Sequence, residues 1–224
     1  MPSGWGPRPT PSSRAVPTAP TPCSGSWWAR PWPGPRAGRP ACSTLSGFRK
    51  LSEAERYRGP LISVATATFA APDSDTFERD VVHHPGAVSV VPVVEEGEAV
   101  LLVRQYRAAV DRELLEIPAG KRDVVGEEPE LTARRELEEE VGMRAGRLEK
   151  LAEFFNSPGF CDEHSFVYLA LDLDPCARGA HSVEERHMTV VRVGLDEVPG
   201  LVRGGDIVDA KTIIGLCLAR EALS

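Results

Sequence analysis

The chain has 224 residues, enough for one ample core or one domain with an appendage. Its 26 basic and 33 acidic residues give a net charge of −7, which argues against a general nucleic-acid binder. No apolar run is long enough to cross a membrane. The five cysteines (Cys23, Cys42, Cys161, Cys176, Cys217) are odd in number and show no Cys-x-x-Cys spacing, so they indicate neither a zinc site nor a disulfide framework and fit a reducing cytoplasm.

Residues 1–47 are different material. They hold more than half of the 20 prolines, all four tryptophans and five arginines, with no acid. Without those arginines the remainder carries 21 basic against 33 acidic residues, a net of −12. No helical or alternating pattern survives such proline density, so this stretch reads as a disordered extension, part of it expected not to be native. An N-terminal β subdomain is expected over 48–84 and the main domain over 85–224.

Leu61–Phe69 and Thr76–His84 alternate apolar and small polar residues, which predicts strands around a turn at Ala71–Ser74. Ala87–Val94 and Ala99–Tyr106 read as apolar strands joined by a hairpin-like connection over Glu95–Glu98. A strand over Glu113–Ile117 leads into a loop and a helix starting near Pro129. Strands are then expected near Leu148–Phe155, Ser165–Leu173 and Met188–Val193, with helices at about Leu195–Arg203 and Asp209–Ala222. Strands with helices at two separated places point to an α/β fold with a mixed sheet covered on both faces.

The helix after Pro129 carries most of the functional information. Proline suits its first turn, and Gly142 suits the left-handed position just past its end. Ala133, Leu137 and Val141 form a narrow apolar stripe, and Glu136, Glu139 and Glu140 fall within an arc of roughly 100° beside it. Glu138 points nearly the other way, toward solvent. A surface helix whose acids pair with Arg134 and Arg135, at about 0.2–0.5 kcal/mol per pair, would carry the same pattern. Against that reading, the acids crowd the C-terminal half, where the helix dipole disfavours each by about 0.3–1 kcal/mol. A hard cation among oxygen ligands, Mg²⁺ or Mn²⁺, would relieve the crowding.

The segment from Gly120 through Glu127 and Arg135-Glu136-Leu137-Glu138-Glu139-Glu140-Val141-Gly142-Met143 resembles the Nudix box, G-x5-E-x7-R-E-U-x-E-E-x-G-U with U aliphatic. One departure exists: six residues, not five, separate Gly120 from Glu127, which should alter the loop without disturbing the helical acids. The resemblance implies an α/β/α sandwich and Mg²⁺-dependent hydrolysis of a nucleoside diphosphate linked to another group, with Mn²⁺ a substitute. It implies Glu136, Glu139 and Glu140 as metal ligands, joined by the carbonyl of Ala119. Arg135 would hold a carboxylate in place, and Glu127 would support the loop.

Downstream, Ser157-Pro158-Gly159 marks a turn that leads to Cys161-Asp162-Glu163. The loop is similar to one found in ADP-ribose pyrophosphatases of the Nudix family, which implies a substrate-side role for Pro158 and a general-base role for Glu163. Val103-Arg104-Gln105-Tyr106-Arg107 looks like their substrate-side strand, with Arg107 and then Arg104 as diphosphate contacts, since guanidinium groups donate two bonds at once. Arg79 is a further substrate candidate. An ordinary strand connection and an exposed strand face would account for these residues equally. The resemblance also implies dimerisation through the 48–84 region. Two rival functions stay open: cleavage of another nucleotide sugar or dinucleotide, and a Nudix-like ligand-sensing module without turnover.

Overall fold

The structure is a computed structural model that describes residues 47–124, 126–179 and 186–224. The expectations for the N-terminal extension fall, except at Gly47, outside these residues. β1 (Arg49–Arg58), β2 (Ser63–Ala70) and β3 (Thr76–His83) form an antiparallel sheet in the order 1-2-3. In β2, Ala65, Ala67 and Ala70 are buried, while every residue of β1 is exposed. That exposure is why no alternating pattern marks β1 in the sequence.

The central sheet runs β10-β5-β4-β9-β8, with β6 paired to β5 and β7 paired to β4. Its strands are β4 (Ala87–Val94), β5 (Ala99–Arg107), β6 (Arg112–Glu116), β7 (Ala119–Lys121), β8 (Met143–Phe155), β9 (His164–Pro175) and β10 (Thr189–Gly194). β4 and β9 are parallel and the other pairs antiparallel, so the sheet is mixed as expected. β4 and β5 pair only at Val93↔Val100 and Val94↔Ala99. Beyond those rungs they diverge, and the β6–β7 segment fills the fork, β6 along Val103–Arg107 and β7 along Ala87–Ser89.

Helix α1 (Pro129–Glu136) covers one face of this sheet, and α2 (Val198–Gly204) and α3 (Ala210–Ala222) the other. The two-residue period of β4 divides its side chains between the cores. Val88 and Val90 join Ala133, Leu137 and Val141, while Val91 and Val93 join Val198, Leu216 and Ala219. The apolar stripe read from the sequence is therefore the seam that seats α1. Gly215 lets α3 approach closely: a Cβ there would lie 3.0 Å from Ile117 Cδ1 and 3.1 Å from Val91 Cγ2.

Most element limits fall within two residues of expectation, and two starts differ by more. β8 begins at Met143 and not at Leu148, because its first residues alternate a buried Ala145 with exposed Arg144, Gly146 and Arg147 and so lack an apolar run. The helix expected from Leu195 begins at Val198, after a turn in which Leu195 is already buried. Among the described residues no helix is long and apolar enough to cross a membrane.

Candidate active site

Pro129 occupies the first turn of α1, and the helix ends at Gly142 with φ 73° and ψ 35°, a conformation that glycine adopts without strain. Between them the last turn, Leu137–Val141, is a π turn, so the acidic residues sit on a locally widened backbone. Glu140 is only 5% exposed. Glu138, expected to point to solvent, is held by Arg144 at 3.0 Å.

The box glycine meets this helix directly. A Cβ built on Gly120 would lie 1.9 Å from Cδ of Glu136 and 2.1 Å from its Oε1, so the Glu136 carboxylate occupies the space that any other residue's side chain would need. One residue earlier, the Ala119 backbone N–H donates to Glu140 Oε2 at 3.0 Å. Ala119, Gly120, Glu136 and Glu140 thus form one contact between β7 and the α1 turn.

Arg135 lies among the acids. Its Nη1 is 2.8 Å from Glu136 and 3.3 Å from Glu139, and its Nη2 is 3.6 Å from Glu127 and 3.9 Å from Asp123. Burial disfavours the guanidinium charge, but Glu136, Glu139, Glu127 and Asp123 together outweigh it and hold its pKa above the usual arginine value. Glu127 is fixed in turn by the buried Thr132 hydroxyl, which donates to Oε2 at 2.7 Å. The structural role expected for Arg135 therefore extends to four carboxylates. Among the described residues, no three acidic, histidine or cysteine side chains stand close enough together to enclose an ion. The donor set is nonetheless composed of carboxylate and backbone oxygens, and glycine at position 120 gives a carboxylate room against the backbone; both features suit Mg²⁺ or Mn²⁺.

Arg107 grips Glu116 at two points, Nε to Oε1 at 2.8 Å and Nη2 to Oε2 at 2.7 Å. Glu116 is 1% exposed and also receives Lys211, whose Nζ lies 3.0 Å from Asp209. Burial pushes the Glu116 carboxyl up, but Arg107 and Lys211 overcome this and hold it below the ordinary glutamate value. The hydrogen bonds to Glu116 hold the Arg107 pKa above the usual arginine value against burial, and the negative charge of Glu140 adds to this. Arg104, three residues earlier on β5, points to the other face by strand alternation and is exposed. Arg79 lies in β3 with its guanidinium 4.9 Å from the centre of the Phe77 ring. Among the described residues, neither is seen paired with Glu136, Glu139 or Glu140. Sequence reasoning missed Glu116 and Lys211; the available signal was a lone acid inside the apolar run Leu114-Leu-Glu-Ile-Pro.

The loop 156–163 lies at the same end of the sheet, because Ala87 is paired on one side with Lys121 of β7 and on the other with Ser165 of β9. Pro158 is exposed in its turn, which is closed by Phe160 N–H donating to the Ser157 carbonyl at 3.1 Å. Glu163 is partly buried, with Oε1 3.9 Å from Nδ1 of His84, and that nitrogen accepts the Gly86 N–H at 3.1 Å. A separate cleft of about 470 Å³, lined in part by Glu95, Glu96, Arg147 and Asp172, opens at the opposite end of β4 and contains none of these residues.

A family model described as NUDIX domain matches residues 83–212. The chain belongs to the Nudix family. It is 38% identical over 164 residues to the ADP-ribose pyrophosphatase of Bacillus subtilis (strain 168), covering 73% of this chain and 88% of that protein. It is 35% identical over 160 residues to the methanol dehydrogenase activator of Bacillus methanolicus, covering 71% and 85%. Among solved structures, an ADP compounds hydrolase superposes with a TM-score of 0.69 at 25% identity, covering 79% of this chain and 94% of that one.

Proposed function

We propose that the protein is a Mg²⁺-dependent ADP-ribose pyrophosphatase, which hydrolyses the diphosphate of ADP-ribose to AMP and ribose 5-phosphate. The observation that carries this reading is the seating of Glu136 against Gly120 and of Glu140 against Ala119, which gathers oxygen donors at the start of β7, three residues after the Glu116 that orients Arg107. Similarity to an ADP-ribose pyrophosphatase and to an ADP compounds hydrolase supports the choice of substrate.

In this reading Glu136, Glu139, Glu140 and the Ala119 carbonyl hold Mg²⁺, with Mn²⁺ a substitute. When bound, the ion neutralises the diphosphate and polarises its P–O bonds. Arg107 donates to the diphosphate from a guanidinium already oriented by Glu116, so little conformational entropy is lost on binding. Glu163 takes the proton of the attacking water, and Pro158 shapes the loop that presents it. Arg104 and Arg79 contact substrate only if the active site is completed by a second copy of the chain. That arrangement agrees with a homodimer formed through residues 48–84, where β1 is exposed along its length and Phe48, Leu51 and Tyr57 are each about half exposed or more. A reducing cytoplasm as its location is supported by Cys161, Cys176 and Cys217, all free thiols.

The test is a hydrolysis screen of ADP-ribose, GDP-mannose and NADH with and without Mg²⁺, with products identified by mass. ADP-ribose should be preferred and the products should be AMP and ribose 5-phosphate. A higher kcat/KM on either competitor, or equal turnover after chelation, would overturn the proposal.

A further inference from the structure

The end of β3 is bonded to the loop that carries Glu163. Val82 N–H donates to the Phe160 carbonyl at 2.7 Å, and Asp162 N–H donates back to the Val82 carbonyl at 3.1 Å. The Asp162 side chain adds two contacts: Oδ1 accepts the His84 backbone N–H at 2.9 Å, and Oδ2 lies 2.6 Å from Nδ1 of His83. The second ring nitrogen of His83, Nε2, is hydrogen-bonded to Glu53 of β1, whose other carboxylate oxygen is held by Lys50 at 2.6 Å. His83 therefore bridges two carboxylates from separate elements, one in the N-terminal sheet and one immediately before Glu163.

We infer that His83 is a positioning residue, clamping the 156–163 loop to the N-terminal sheet so that Glu163 is held in register with the box. This inference rests on the role of Glu163 proposed above. Both ring nitrogens face carboxylates, and only the protonated ring has two N–H groups to donate. The charged groups around it are Asp162 on the loop, Glu53 on β1 and, behind Glu53, Lys50; the β2 residue paired with His83 is the uncharged Ser63. The hydrogen bond to Asp162 and then that to Glu53 raise the His83 pKa above its ordinary value, against the opposing effect of partial burial. A raised folded-state value means that the clamp is complete below the ordinary histidine pKa and is lost as pH rises through the raised one. Once neutral, the ring donates only one hydrogen, so either Asp162 or Glu53 faces a nitrogen lone pair.

The closing experiment has an arm that does not depend on turnover. Amide hydrogen exchange is measured on the full-length chain for peptides covering 156–163 and, as a reference, for the β8–β9 hairpin. H83A and E53Q should each speed loop exchange by about tenfold or more while the hairpin stays protected. The wild-type loop should lose protection relative to the hairpin as pH rises above the ordinary histidine value of 6.5, and H83Q should abolish that dependence. In steady-state assays kcat should fall about tenfold in H83A with KM within about twofold, since the base is misplaced while substrate contacts remain. Loop exchange that is unchanged in H83A and E53Q, or flat against pH in the wild type, overturns the clamp; so does a wild-type-like kcat in H83A. If H83A does not fold, the wild-type pH series and E53Q decide. A wild type inactive on ADP-ribose would refute the activity reading alone, because the exchange arm reads the clamp independently.

Discussion

Replacing Gly120 by alanine separates catalysis from stability. The backbone at Gly120 is not in the left-handed region, so alanine is tolerated there conformationally, and loss of glycine's unfolded-state freedom should even favour folding by about 0.4–1 kcal/mol. The new methyl group would, however, lie 1.9 Å from Cδ of Glu136, whereas ordinary van der Waals contact begins near 3.4 Å. The carboxylate must therefore retreat by about 1.5 Å, the difference between those two distances. The clashing atoms are Cγ, Cδ and Oε1 of one side chain and not backbone, so the move is a rotation of Glu136. A displacement on the order of 1 Å at a reacting centre costs about a hundredfold. We therefore expect G120A to keep its melting temperature within a few degrees of wild type while kcat on ADP-ribose falls about a hundredfold, read from AMP release at saturating Mg²⁺. G120A combined with E136Q should be little worse than either alone, since both remove the same carboxylate from the same place. A G120A enzyme with wild-type turnover would refute the reasoning, because the close approach would then be irrelevant to chemistry.

Three further outcomes follow from the same geometry. E140Q keeps an oxygen that can accept the Ala119 N–H, so circular dichroism should report a normal fold while kcat drops by roughly two to three orders of magnitude; near-normal turnover would remove Glu140 from the metal site. E116Q leaves Arg107 and Lys211 without their shared buried counter-ion and should cost about 3 kcal/mol in urea unfolding. Because the Glu116 pKa is depressed in the folded state, that contribution is present above the ordinary glutamate pKa and is lost as pH falls through the folded value, so the wild type and E116Q should converge in acid; a stability gap independent of pH would contradict the ion-pair assignment. G215A places a methyl group 3.0–3.2 Å from Ile117, Val91 and Val167 and should destabilise the fold by about 1–3 kcal/mol with turnover per folded molecule unchanged; equal melting temperatures would show that α3 is not seated through Gly215.

How much of this could be read in advance differs from element to element. Ala87–Val94 is a strand with the limits that its apolar run predicts, and Pro129 and Gly142 bound the acidic helix where the chemistry of helix ends puts them. β1 escaped notice because a strand exposed on all sides has no reason to alternate. Arg104 and Arg107 stand close together in the sequence, yet a separation of three residues in an extended strand sends them to opposite faces. Among the histidines, His83 showed no ligand spacing in the sequence; its carboxylate partners lie 30 and 79 residues away along the chain.

Local order was thus determined by the sequence itself: the stripe Ala133, Leu137 and Val141, the arc of glutamates beside it, and the alternation within the central strands. These depend only on side-chain direction, which the backbone repeat of a helix or strand sets. Which groups meet was decided by the tertiary structure. The seating of Glu136 in place of a Gly120 side chain follows from the divergence of β4 from β5, which admits β7, and Lys211 of α3 reaches Glu116 across 95 residues; His83 bridges Glu53 and Asp162 because the β1-β2-β3 sheet is bonded through Val82 to the 156–163 loop. Periodicity reports that a face will be buried; only the closing of those loops selects the partner that buries it.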